Sequence, residues 1–172
     1  MRKIPIIMLL ALSGLSLSAF AQPDTTPAKS TYDPVLAKQM GGNENGMRSY
    51  VMVILKTGPV RVPDGEARTT MFKGHMANIN RLAEEGKLVL AGPFGDKNEW
   101  RGMFILAVDT FEAAQALVAT DPVITNGEMV AEYHTLYASA ALMQVNDTHK
   151  KISKNQIGPA VRSVEPPTSG TP

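Results

Sequence analysis

The chain has no cysteine. That excludes disulfides, thiol nucleophiles, cysteine-based metal sites and a lipidated N-terminal cysteine, so the core alone must hold the fold. The sequence also lacks a phosphate loop, a Ser-His-Asp arrangement, an HExxH motif, a dinucleotide fingerprint and any internal repeat. Charge is scarce in either direction. The formal net charge is +1, which gives no footprint for nucleic acid or for an anionic membrane surface.

What is present begins with a leader. Arg2 and Lys3 precede an apolar run over residues 4–17, and Ala19-Phe20-Ala21 fits a small-x-small cleavage site. Residues 1–21 are therefore expected to be a signal peptide, with the mature chain starting at about Gln22 in the periplasm or outside the cell. Loss of Arg2 and Lys3 takes the formal charge from +1 to −1. The apolar run is short for a bilayer span, so no membrane association is expected after cleavage. Residues 22–47 are rich in Pro, Thr, Gly and Asn and read as a flexible linker, with a short helical turn near residues 34–40. Residues 144–172 carry scattered charges and several prolines and read as a disordered tail, with His149, Lys150 and Lys151 as a solvated charge run.

Residues 48–143 remain, enough for one small domain. Residues 50–56 form a β-branched, apolar strand ended by Gly58-Pro59. A helix follows over residues 66–85, with Phe72, Ile79, Leu82 and Ala83 on one face and Gly86 as its stop. Residues 87–91 are a second strand broken by Gly92-Pro93, and residues 102–108 a third. Asp109 and Glu112 look like a capping box for a second helix, whose apolar face is Phe111, Ala114, Leu117 and Val118. Asp121-Pro122 ends that helix, and residues 130–137 alternate as a fourth strand.

The order β-α-β-β-α-β is the ferredoxin-like pattern, an α+β fold with a four-stranded antiparallel sheet. Its first and third strands are central and here are apolar at nearly every position, as if buried on both faces. Two helices cover only one face. The expected cover for the other is a second copy, giving a homodimer with sheets face to face. The alternative is a monomer whose terminal segment folds over that face.

His75 sits within the apolar stripe of the first helix. A histidine turned toward a core must find a partner or do a job, and Asp121 is the candidate partner. A carboxylate on one ring nitrogen would fix the tautomer and leave the other nitrogen for proton transfer. The plain alternative is a buried histidine on a backbone carbonyl and an aspartate closing a turn. At Gly92-Pro93-Phe94 the glycine lets backbone approach a ligand and Phe94 would line a pocket, or the three make a strand-ending turn. Trp100 and Arg101 could meet a ligand's ring or carboxylate. Arg81 is either an anion contact or part of a solvated face. Met71, Met76 and His75, with His134 as a remote third, are of a type that suits Cu(I). Adjacent helical positions diverge, Met71 is the better placed of the two, and no metal site is expected.

Residues 49 to about 141 resemble the YciI-like (YCII-related) domain family. The resemblance is carried by His75, Arg81-Leu82, Gly86-Lys87-Leu88, Gly92-Pro93-Phe94, Gly102, Phe111-Glu112-Ala113-Ala114 and Asp121-Pro122, in that order and spacing. It implies a ferredoxin-like fold that dimerises as an α/β barrel, with a site built from His75 and Asp121. Some relatives are lyases that eliminate chloride from ring or lactone intermediates; most have no assigned reaction. The expectation is an exported protein that binds an unknown small molecule and, if an enzyme, is a cofactor-free lyase or isomerase. Its catalytic residues would be His75 and Asp121, and Gly92, Pro93, Phe94 and Arg81 would bind substrate. The alternative is a non-catalytic ligand-binding or interaction module.

Overall fold

The computed structural model describes residues 31–154. The expected signal peptide, the first part of the linker and most of the expected tail lie outside those residues. Helix α1 (Pro34–Gln39) starts at Asp33, whose Oδ1 accepts from the amides of Val35 at 2.9 Å and Leu36 at 3.0 Å, with Pro34 in the first turn where no amide is needed. It coincides with the helical turn read near residues 34–40. Strand β1 (Met47–Thr57) follows, then α2 (Glu66–Glu84), β2 (Leu88–Pro93), β3 (Trp100–Leu106), α3 (Phe111–Val118), α4 (Pro122–Thr125), β4 (Met129–Ser139), a 3-10 turn (Ala140–Gln144) and α5 (Val145–Ile152).

The fold is α+β. Its sheet has four antiparallel strands in the order β2-β3-β1-β4, an order compatible with the ferredoxin-like arrangement. β1 and β3 are central, as their apolar runs require. On one face, Val51, Val53, Leu55, Phe104 and Leu106 pack with Leu82, Ala114, Val118 and Val123 from the helices. On the other, Tyr50, Val89 and Ile105 are buried with Leu142 and Met143 of the 3-10 turn against them. The chain's own C-terminal segment thus covers part of the second face. Met52, Leu90, Met103 and Leu136 stay half-buried there.

Several local readings shift. Helix α2 ends as expected, with Gly86 at φ 67° just beyond its last turn. Helix α3 is capped by Thr110, whose hydroxyl accepts from the Ala113 amide at 3.2 Å, and not by Asp109. Thr110 is the last residue with extended backbone, so it alone can reach back to those first amides. Gly92-Pro93 does not break β2. The strand runs through both, pairing Gly92 with Met103 and Pro93 with Gly102, because β2 is an edge strand and the missing proline N–H faces no partner strand.

Residues 145–152, read as the start of a tail, form α5. No residue of α5 is buried, so it carries no apolar stripe to betray it. Asn146 Nδ2 instead ties it to the Leu88 carbonyl at 2.7 Å. Asp147 lies in its first turn and His149, Lys150 and Lys151 in its last, a charge order that favours the helix dipole.

Candidate functional site

His75 lies at the middle of α2 and Asp121 at the start of α4. Pro122 pre-sets the backbone of the short helix, and Asp121 caps it: Oδ1 accepts from the Val123 amide at 3.1 Å. That leaves Oδ2, which lies 2.7 Å from His75 Nδ1. Asp121 is fully buried and the His75 side chain is 13% exposed. A carboxylate can only accept here, so Nδ1–H donates to Asp121 and Nε2 is the ring nitrogen left for other contacts.

The ring is held by more than the carboxylate. Phe72 meets it edge-on at 6.2 Å and Phe104 lies nearly parallel to it at 6.1 Å. Behind Asp121 stands Asn78, buried, whose Nδ2 reaches Oδ2 at 3.4 Å. Asn78 Oδ1 accepts in turn from Arg81 Nη2 at 2.8 Å. The signal for Asn78 was in the sequence: it is three residues after His75 and so on the same side of the helix.

His75 borders a cavity of about 310 Å³, at the small end for ligand sites. Phe72, Met76, Ile79, Phe104 and Met129 supply much of its apolar wall; Gly92, Pro93 and Gly102 supply strand backbone, and Arg101 a charge. Of the residues expected at the site, His75, Asp121, Gly92 and Pro93 therefore converge. Phe94 does not line the cavity; its ring packs on Trp100 at 5.5 Å. Arg81 does not line it either, because its guanidinium is taken by Asn78, Thr120 and Glu85. Met76 and not Met71 shares the cavity with His75, since Met71 is buried in the core. Among the described residues no group of three or more His, Cys, Asp or Glu is placed to hold a metal ion. His134 is on β4 and bonds Glu132 at 2.8 Å.

The close approach reserved for a glycine belongs to Gly102. A Cβ there would stand 2.9 Å from the Gly92 carbonyl oxygen, whereas a Cβ on Gly92 meets nothing within 4 Å. Gly102 lets β2 and β3 close into the cavity wall.

One buried ion pair was not legible at all. Glu128 is 2% exposed; Oε1 takes Arg68 Nη2 at 2.8 Å and Oε2 takes the Val62 amide at 2.8 Å. The Arg68 hydrogen bond holds the Glu128 carboxyl below the usual carboxylate range. The Arg68 guanidinium also lies 4.9 Å from the centre of the Phe72 ring, which links the pair to the ring beside His75. Glu128 follows Asn126-Gly127 and looks like one more polar turn residue.

A family model described as YCII-related domain matches residues 49–136, from β1 through most of β4, and takes in both His75 and Asp121. No curated protein matches the chain.

Proposed function

The chain belongs to the YCII-related domain family, and from that membership and the site geometry we propose that it binds a small molecule in the cavity beside His75 and moves a proton on it. The 2.7 Å contact between His75 Nδ1 and Asp121 Oδ2 carries the reading. Asp121 orients the ring and stabilises the imidazolium that forms when Nε2 takes a proton. Nε2 abstracts a proton next to a carbonyl or returns one to a leaving group, the chemistry of a lyase or isomerase. Neither step requires a metal or an organic cofactor.

A second reading has its own support. Apart from His75 and Arg101 the cavity wall is apolar or backbone, which also suits a binding module without turnover. Hydrogen exchange separates the two. Carbonyl compounds are incubated with the protein in D2O and followed by proton NMR. The acid–base reading expects deuterium to enter beside the carbonyl of at least one compound, and His75→Ala to abolish it. Thermal stabilisation by ligands with no exchange in any of them would leave the binding module.

The half-buried Met52, Leu90, Met103 and Leu136 support a second copy of the chain seated on the open part of the sheet. Arg2, Lys3 and the apolar run after them support a reading of the chain as an exported, periplasmic or secreted protein.

A further inference from the structure

Arg101 gives the cavity a charge that the acid–base pair does not use. Its acidic neighbour is Glu128 at 3.9 Å, too far for a hydrogen bond. Both oxygens of Glu128 are already engaged, one by Arg68 and one by the Val62 amide. Among the described residues no hydrogen bond satisfies the Arg101 guanidinium, although its side chain is only 30% exposed. Arg68 is engaged by Glu128 and, at 3.3 Å, by Asp64; among the described residues Arg101 has just the long contact to Glu128, which leaves its positive charge at the wall of an otherwise apolar cavity. A guanidinium presents several donors in a planar fork that matches a carboxylate, and low-dielectric surroundings strengthen such a pair.

We propose that the ligand is a small organic anion: a carboxylate that pairs with Arg101, on a compact apolar body packed against Phe72, Ile79 and Phe104. The proposal rests on the reading of this cavity as the ligand site, and it names the class of ligand. A volume of about 310 Å³ suits one ring or a short branched chain. Sugars and nucleotides fit poorly, because the apolar wall would leave their hydroxyls without partners.

Calorimetric titration of the purified protein tests this with phenylacetate and its neutral isostere phenylacetamide. The expected result is that the acid binds at least about tenfold more tightly than the amide, the scale of one charge-assisted pair. Arg101→Gln should remove that preference and Arg101→Lys should keep part of it, with the unfolding midpoint of each variant showing that it is folded. Equal binding of acid and amide, an acid preference that survives Arg101→Gln, or no binding of either probe at millimolar concentration would overturn the proposal. The hydrogen-exchange experiment is independent of this one. Acid preference without exchange keeps the anion site and removes the chemistry, and exchange without acid preference does the reverse.

Discussion

Gly74 of α2 touches Pro122 of α4 so closely that a Cβ on the glycine would lie 2.8 Å from Pro122 Cγ. Each residue is next to a member of the proposed dyad. The missing side chain at position 74 is what lets His75 come within 2.7 Å of Asp121. A proline ring has little freedom to move aside. Gly74→Ala should therefore push the two helices apart, cost about 1–3 kcal/mol as overpacking does, and lengthen the His75–Asp121 contact. Urea unfolding measures the first effect, and a crystal structure of the variant measures the second.

Asp121 does two jobs with two oxygens, and substitutions should separate them. Asp121→Asn can still accept from the Val123 amide through its one oxygen, so the cap survives, but it then presents an N–H donor to His75 Nδ1 in place of an acceptor. Asp121→Ala loses both jobs and leaves buried donors unpaired. Loss of the cap alone is worth about 1 kcal/mol, and an unpaired buried group adds about 1–3 kcal/mol. Asp121→Ala should thus be clearly less stable than Asp121→Asn by chemical denaturation, while both lose any proton-transfer activity. Equal stabilities would mean that the Oδ1 cap of α4 contributes little.

How much of this was readable beforehand depends on which residues speak through periodicity. The α2 stripe placed His75 on the core side, and the paired apolar strands β1 and β3 announced themselves as central. Asp121 was legible because Asp-Pro has a local chemistry of its own, though it starts a helix as well as following one. Arg81 misled because an arginine near a site looks like an anion contact, yet its donors are spent on Asn78, Thr120 and Glu85. Arg101 was a candidate for a ligand's carboxylate, but its meeting with Glu128 was harder to see. They are 27 residues apart (101 to 128) and are joined only when β3 and the turn before β4 pack together, a tertiary fact with no local pattern. Helix α5 lacked a buried face, so no stripe could reveal it.

The buried Glu128–Arg68 pair should make stability depend on pH in a defined direction. The folded-state value of Glu128 is lowered, chiefly by the Arg68 hydrogen bond, from an ordinary 4.5. Its stabilising effect is complete above that ordinary value and fades as pH falls through the lower folded-state value. Glu128→Gln removes one partner of a buried pair, which costs about 3 kcal/mol at neutral pH. The gap between wild type and Glu128→Gln should narrow steadily as pH is taken below 4.5. Denaturant titrations of both proteins across that range check it; a gap that stays constant into acid would show that the ion pair is not its source.

If a second copy covers the open part of the sheet, a charge on Met52 should prevent it. Met52 is half-buried on β1, so Met52→Lys can extend its charged end into water in a single copy but not against a partner sheet. Light scattering should find a dimer for the wild type and a folded monomer for Met52→Lys. A wild-type monomer at micromolar concentration would remove the partner and leave Leu142 and Met143 as the cover that this face has.

The orientation of the His75 ring is the claim on which the chemistry stands, and nitrogen NMR reads it directly. Long-range proton–nitrogen spectra of uniformly 15N-labelled protein report which ring nitrogen carries hydrogen. Assignment is by comparison with His75→Ala, with His149 as an exposed reference within the same chain. The expected result is a neutral His75 locked as Nδ1–H with a bare Nε2, and a change of that state in Asp121→Asn. A ring protonated at Nε2, or one averaging between both tautomers as a free imidazole does, would contradict the account.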